Sequence, residues 1–255
     1  MDIIKKIIFS ILKYISVINY YFVKKKFKKI VFLHIPHCGG NTIHRFLKVN
    51  FGLRGKKIII KNTKKEIEIL EDGKTHFYNF GHFGYDYIKK NFDDKSFFYI
   101  LNTRNPKNFY LSNYFRDKKY HRIYDPQSEF PTFEEYLRNN LKINKDNILC
   151  RYLSGDSIYQ QNSIKMNNQI FEQALKNLNH FNFFFIVEKS KECLNLLPKK
   201  LGITINFASI LKNHANKHSN SQYPSISNIE SELLETMVYY DNKLYEIILK
   251  KKICS

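Results

Sequence analysis

Short apolar runs, rich in β-branched and aromatic residues, alternate along this chain with longer stretches whose apolar residues recur at helical spacing. The apolar runs predict strands at 29–34, 57–60, 76–80, 97–103 and 183–187. The predicted helices are 42–49, 86–91, 106–116, 133–141, 148–153, 169–178, 191–197 (ended by Pro198) and 228–250. This alternation predicts an α/β fold of three layers, with a mainly parallel central sheet flanked by helices.

The first predicted strand leads into a loop, His34–Thr42, that contains the adjacent glycines Gly39 and Gly40. A predicted helix follows, so backbone N–H groups and the positive end of a helix dipole converge at the loop. Such a loop after a central strand favours an anion site at the carboxyl end of the sheet. A Gly-Gly pair alone is more typical of a tight turn with a helix cap, and the Walker A spacing G-x-x-x-x-G-K-[ST] is absent.

Composition narrows the choice of partner. The 255 residues are 43% hydrophobic, which is enough for one domain with a sizeable core. The formal net charge of +19 indicates an anionic partner, although a compositional bias toward Lys, Asn and Ile explains it equally well. Motifs typical of nucleic-acid binding are lacking, so we expect no nucleic-acid partner. The four cysteines form no C-x-x-C pair, which predicts neither a disulfide framework nor a metal site and favours a reducing compartment.

Residues 1–27 form a separate amino-terminal segment ahead of a domain at 28–255. The stretch Ile7–Val23 is largely apolar but is interrupted by Lys13, and it is too short for a confident membrane span. As a helix it has an apolar and a basic face, so it either lies on a membrane surface or packs on the domain. A short signal-anchor is the third alternative.

The loop reads H-I-P-H-C-G-G-N-T and resembles the nucleotide loop of carbohydrate sulfotransferases of the heparan sulfate 2-O/6-O type, usually H-I-P-K-T-G-G-[ST]-[ST]. The resemblance implies a P-loop-like fold and PAPS (3′-phosphoadenosine 5′-phosphosulfate) as co-substrate, with no metal. His37 stands where the family has a lysine that contacts the phosphosulfate, so the resemblance implies a catalytic role for His37. It also implies a co-substrate-binding role for Pro36, His37, Cys38, Gly39, Gly40, Asn41 and Thr42.

A second segment, F-F-Y-I-L-N-T-R-N-P-K-N-F-Y-L-S, resembles the family's strand ending in R-[DN]-P and the helix after it. Arg104 at a strand end can fork two hydrogen bonds to a phosphate, and Pro106 favours the start of a helix. In the family the Arg and a Ser eight residues later hold the 3′-phosphate of PAPS, which implies that role for Arg104 and Ser112. Taken singly, Arg104 is better explained by a structural ion pair and Ser112 by an indifferent helix position. The pair at the family's spacing, after the glycine loop, favours the binding role.

Gly81-His82 resembles the family's G-H pair, whose histidine is a proposed catalytic base. Transfer to a hydroxyl requires a group that takes its proton, so the resemblance implies that His82 is this base. A packed histidine is the alternative.

Later segments, including those around Arg151 and Asp241, also resemble the family. There, Asp241, Leu244 and Tyr245 are predicted to be fold residues, and Arg151 either forms a structural ion pair or binds ligand.

The leading hypothesis is therefore a sulfotransferase that transfers a sulfuryl group from PAPS to a carbohydrate hydroxyl, with the acceptor pocket shaped by a loop at 116–131. A nucleotide kinase is disfavoured by the missing Walker lysine. A catalytically degenerate protein that binds glycans or nucleotides stays open because His37 replaces the lysine. We expect a cytoplasmic protein, or one peripheral to the inner face of the membrane.

Overall fold

The computed structural model describes residues 26–27, 29–51, 55–59, 77–81, 84–92, 95–155, 164–203 and 225–251, together with residues 14 and 18. Their strands are β1 Ile30–His34, β2 Gly55–Ile59, β3 Phe77–Gly81, β4 Phe98–Thr103 and β5 Phe183–Ile186. All neighbouring strands pair in parallel, in the order β2-β3-β1-β4-β5. The strand that leads into the glycine loop is thus the central one, as the sequence predicted.

Helices connect and cover these strands: α1 Gly40–Phe51, α2 Tyr85–Phe92, α3 Pro106–Tyr124, α4 Phe133–Lys142, α5 Ile148–Ser154, α6 Asn168–Leu178, α7 Ser190–Leu201 and α8 Asn228–Lys250. Nearly every residue of β1, β4 and β5 is buried. Because successive side chains of a strand point to opposite faces, both faces of the sheet must be covered there. The predicted three-layer α/β fold is confirmed.

Two predicted boundaries are wrong for physical reasons. Helix α7 passes through Pro198 and ends only at Leu201, where Gly202, with a φ of 73°, caps it. The buried Leu201 and the bond from the N–H of Ile203 to the carbonyl of Pro198 (2.8 Å) offset the cost of proline inside a helix. Helix α3 continues to Tyr124 and so occupies most of the predicted loop at 116–131. No proline or glycine interrupts that stretch before Pro126.

Most of the amino-terminal segment 1–27, and with it the membrane-surface prediction, lies outside the described residues. Among the residues that the structure does describe, no helix combines the length and apolar character needed to cross a membrane.

The carboxyl-terminal helix α8 fixes the start of α5. The carboxylate of Asp241 accepts hydrogen bonds from the backbone N–H groups of Leu149 (2.9 Å) and Cys150 (2.8 Å). The side-chain oxygen of Asn147 in turn accepts from the N–H of Asp241 at 3.1 Å. Arg151 is fully buried and pairs with Asp146, with 2.6 Å between Nη2 and Oδ1. Of its two predicted roles, the structure therefore shows the structural ion pair.

Asp241 gives the protein an unusual dependence of stability on pH. Burial raises the pKa of Asp241 to about 6 from an ordinary 3.8. Between about pH 4 and pH 6 the folded state therefore holds a proton that the unfolded state releases, so this contribution to stability falls as the pH rises. In urea unfolding, we expect the stability advantage of the wild type over Asp241→Asn to shrink by about 2–3 kcal/mol across that window. An advantage that stays constant or grows with pH would contradict this origin.

Candidate active site

The loop between β1 and α1 has the backbone shape of an anion-binding turn. His37 and Gly39 have φ values of 63° and 73°, in the left-handed region. The N–H of Thr42 donates to the carbonyl of Gly39 at 3.0 Å, and α1 begins at Gly40. Asn41 is exposed and Thr42 half-buried, so the first turn of α1 presents N–H groups and two polar side chains beside the loop.

A buried amide, Asn102 on β4, holds this loop in place. Its Oδ1 accepts from the N–H of Ile35 at 2.7 Å. Its Nδ2 donates to the carbonyls of Ile35 and Cys38, both at 2.8 Å. One side chain therefore satisfies three backbone groups on both sides of His37. Sequence reasoning missed Asn102, although a polar residue inside the apolar run F-F-Y-I-L-N-T was a signal for it.

Both loop glycines are required by close packing. A Cβ at Gly40 would lie 2.0 Å from the imidazole of His34, and one at Gly39 would lie 3.0 Å from the ring of Phe185. The side chain of Cys38 is likewise buried, and burial strongly raises the pKa of its thiol. If Cys38 binds the co-substrate, as the family resemblance implies, its backbone is the part available.

Arg104 follows the last residue of β4 and lies against the loop. Its Nη1 donates to the carbonyl of His37 at 3.3 Å. Its Nε is buried, and no acceptor for it is found in the described part of the chain. Buried guanidinium donors are usually satisfied, so the unmatched Nε makes Arg104 a candidate for binding an oxyanion. Only an arginine side chain offers a planar pair of N–H donors that a phosphate can accept together. A lysine offers a single charged group.

The turn after Arg104 is anchored from two directions. Asn105 caps α3, with its side chain accepting from the N–H of Asn108 at 3.2 Å. The N–H of Asn105 donates to Glu188 at 3.0 Å, and the hydroxyl of Tyr245 donates to the other oxygen of Glu188 at 3.0 Å. The end of β5 and the helix α8 thereby fix the position of Arg104. This gives Tyr245 the fold role that the sequence predicted.

The two remaining predicted residues are placed differently. Ser112 is half-buried on α3, about two helical turns after Pro106, and it shares a helix face with Asn105 and Asn108. Its hydroxyl makes no hydrogen bond to another described residue. His82 lies outside the described residues. The residue before it, Gly81, ends β3 and pairs with His34 at the start of the loop.

A cavity of about 260 Å³ opens beside the loop. Four aromatic side chains contribute to its lining: Phe109, Tyr110, Tyr136 and Tyr152. Its polar lining comes from His37, Asn113, Arg116, Asp117, Asn140 and Lys145. Of these polar residues, Asn113 is buried, and its Oδ1 has no hydrogen-bond donor among the described residues. Aromatic walls with a few polar groups are typical of a small-molecule site.

His37 lies between the loop and this cavity and joins two arginines. Its carbonyl accepts from Arg104, and its Nδ1 lies 2.7 Å from Nη1 of Arg116. Its ring also packs beside Phe109, with 6.4 Å between centroids. Arg116 was predicted to shape an acceptor pocket, but its contact with His37, 79 residues away along the chain, was not foreseen.

These features define a parallel α/β fold with a glycine-containing loop after its central strand. Among solved structures, the chain is similar to mouse sulfotransferase SULT7A1 complexed with PAP, with a TM-score of 0.54 and 13% identity over 90% of this chain and 92% of that one. At this identity the likeness shows a shared fold. No family model matches the sequence. No curated protein is significantly similar to it.

Proposed function

We propose that this chain is a PAPS-dependent sulfotransferase that modifies a hydroxyl of a carbohydrate. The observation that carries the proposal is Arg104, which is held against the glycine loop by the His37 carbonyl with its Nε buried and lacking an acceptor among the described residues. This is the position that the family resemblance implies for binding the 3′-phosphate. The solved structure of similar fold is a sulfotransferase that contains PAP, the desulfated product of PAPS.

The proposed binding roles follow from the loop and the helix after β4. The N–H groups of 39–42, with Asn41 and Thr42, hold the 5′-phosphosulfate at the amino end of α1. Arg104 and Ser112 hold the 3′-phosphate. PAPS supplies the activated sulfuryl group, and the chain supplies position, charge and a proton acceptor.

The proposed transfer is direct. A bond forms between the acceptor oxygen and sulfur, while the bond from sulfur to the bridging oxygen of the 5′-phosphate breaks and its electron pair stays on that oxygen. His82 takes the proton of the acceptor hydroxyl. Its neighbour in the sequence, Gly81, ends the strand beside β1, which is consistent with this role.

The cavity beside His37 supports a carbohydrate acceptor. Its aromatic side chains offer flat apolar surfaces, while Asn113, Arg116 and Asn140 can hydrogen-bond hydroxyls. Arg116 and Lys145 also suit an acidic sugar. We also propose a cytoplasmic protein, which is peripheral to the membrane if its amino-terminal segment binds lipid.

A second candidate function rests on His37 itself. Since a histidine replaces the family's lysine, a protein that binds PAP and glycans without transferring sulfate is the alternative. Both functions predict binding of PAP, and only the first predicts turnover.

Transfer of ³⁵S from labelled PAPS to a panel of neutral, uronic-acid-containing and lipid-linked glycans separates the two functions. We expect transfer to at least one acceptor and a loss of about 100-fold or more in His82→Ala, because a general base contributes at least that factor. His180→Ala, which changes an exposed histidine just before β5, is the control and should retain activity. Full activity of His82→Ala would remove His82 as the base. Binding of PAP without transfer to any acceptor would favour the second function.

A further inference from the structure

The ring nitrogens of His37 have different chemical roles because of Arg116. A guanidinium N–H can only donate a hydrogen bond, so the Nδ1 of His37, at 2.7 Å from Nη1 of Arg116, must be the acceptor. The ring proton then resides on Nε2. His37 is thereby a neutral imidazole with a hydrogen-bond donor on the side away from Arg116.

Arg116 is itself held in place. Its Nε donates to the Oδ1 of Asp117 at 2.9 Å, and Nη2 donates to the same oxygen. Asp117 also accepts a hydrogen bond from Tyr136 at 3.5 Å, and the side chain of Arg116 is only one third exposed (34%). The guanidinium therefore presents one edge to Asp117 and another to His37. Such support from a neighbouring shell fixes the orientation of a catalytic side chain.

A lysine at position 37 would bring a donor and a positive charge on one side chain. His37 in this tautomer brings the donor alone, and Arg116 brings a positive charge directly behind it. The carbonyl of the same residue accepts from Arg104, so His37 is held between two guanidinium groups. Electrostatic stabilisation of a leaving oxygen needs both a fixed donor and nearby positive charge.

We propose that Arg116 and His37 together perform the task of the missing lysine, which rests on the proposed sulfotransferase function. His37 Nε2–H donates a hydrogen bond to the bridging oxygen as the electron pair of the breaking sulfur–oxygen bond moves onto it, and His37 keeps its proton. Arg116 is a positioning residue: it sets the tautomer of His37 and adds charge. The chain would thus transfer sulfate without a lysine in its loop.

A double-mutant cycle tests this pairing. We expect Arg116→Met to lower kcat by 10- to 100-fold while the Kd of PAP changes by less than threefold. Arg116→Lys, which keeps a cationic donor, should recover most of the loss. In a His37→Lys background, Arg116→Met should change kcat by less than threefold, because the lysine supplies both functions. Arg138→Met, which removes an exposed arginine on α4 that pairs with Glu134, is the matched control and should leave kcat unchanged.

The tautomer is measurable without any acceptor or turnover. Imidazole ¹⁵N spectra of the histidine-labelled wild type should show His37 protonated at Nε2 and not at Nδ1, and Arg116→Met should alter this signature. A proton on Nδ1 would overturn the proposal, and so would equal losses from Arg116→Met in both backgrounds. Failure of the sulfotransferase function would appear separately, as a wild type that transfers no sulfate to any acceptor, whether or not it binds PAP.

Discussion

Asn102→Ala is expected to lower the free energy of unfolding by about 3–4 kcal/mol and to abolish measurable binding of PAP. The side-chain amide of Asn102 forms hydrogen bonds of 2.7–2.8 Å with three backbone groups of the loop, and Asn102 is fully buried. Alanine would leave the N–H and carbonyl of Ile35 and the carbonyl of Cys38 without this partner. The loop could then regain hydrogen bonds only by moving toward water, which would disperse the N–H groups proposed to bind the phosphosulfate.

Asn177→Ala separates the loss of a loop from a general loss of stability. Asn177 is also buried, but its Nδ2 donates to the carbonyl of Leu153 at 2.7 Å, on the helices α5 and α6. This variant should lose stability and keep its affinity for PAP. Urea unfolding and calorimetric titration with PAP measure the two quantities. Equal PAP affinity in Asn102→Ala and Asn177→Ala would show that Asn102 does not shape the nucleotide site.

The second large effect concerns Arg104. We expect Arg104→Ala to weaken PAP about 100-fold, equivalent to about 2.7 kcal/mol, and to change the affinity for adenosine 5′-phosphate by less than threefold. The difference arises because only PAP carries a 3′-phosphate for the guanidinium to bind. Arg104→Lys keeps the charge but not the fork, so an intermediate loss of about tenfold is expected.

Two further variants sharpen this result. Ser112→Ala should weaken PAP in the same direction by a smaller factor, since it removes one uncharged hydrogen bond. Arg138→Ala removes an exposed arginine that pairs with Glu134 on α4, and it should change neither affinity. Equal losses for PAP and adenosine 5′-phosphate in Arg104→Ala would place Arg104 elsewhere than at the 3′-phosphate.

Local patterns predicted the parts of the fold that depend on nearby residues. The apolar run at β1 and the glycines after it predicted a strand, a loop and a helix. The alternation of strands and helices predicted a parallel sheet with β1 at its centre. Arg104 and Pro106 predicted a strand end followed by a helix, and α3 begins at Pro106. These features are set by hydrophobic period, by glycine conformation and by the fixed φ of proline.

Features that depend on distant residues were not predictable in this way. The three hydrogen bonds of Asn102 join segments 64 to 67 residues apart along the chain. The contact between Arg116 and His37 joins residues 79 positions apart along the chain, a separation that no local pattern reports. Continuation of α7 through Pro198 likewise depends on burial of Leu201, which no local propensity reports.

Calorimetric titration of the wild type with PAP and with ATP tests the central claim most directly. The two ligands share an adenosine with a 5′-phosphate, and the 3′-phosphate of PAP is absent from ATP. A site built from the glycine loop, Arg104 and Ser112 predicts that PAP binds at least 100-fold more tightly than ATP. ATP binding as tight as PAP, or tighter, would contradict a PAPS site.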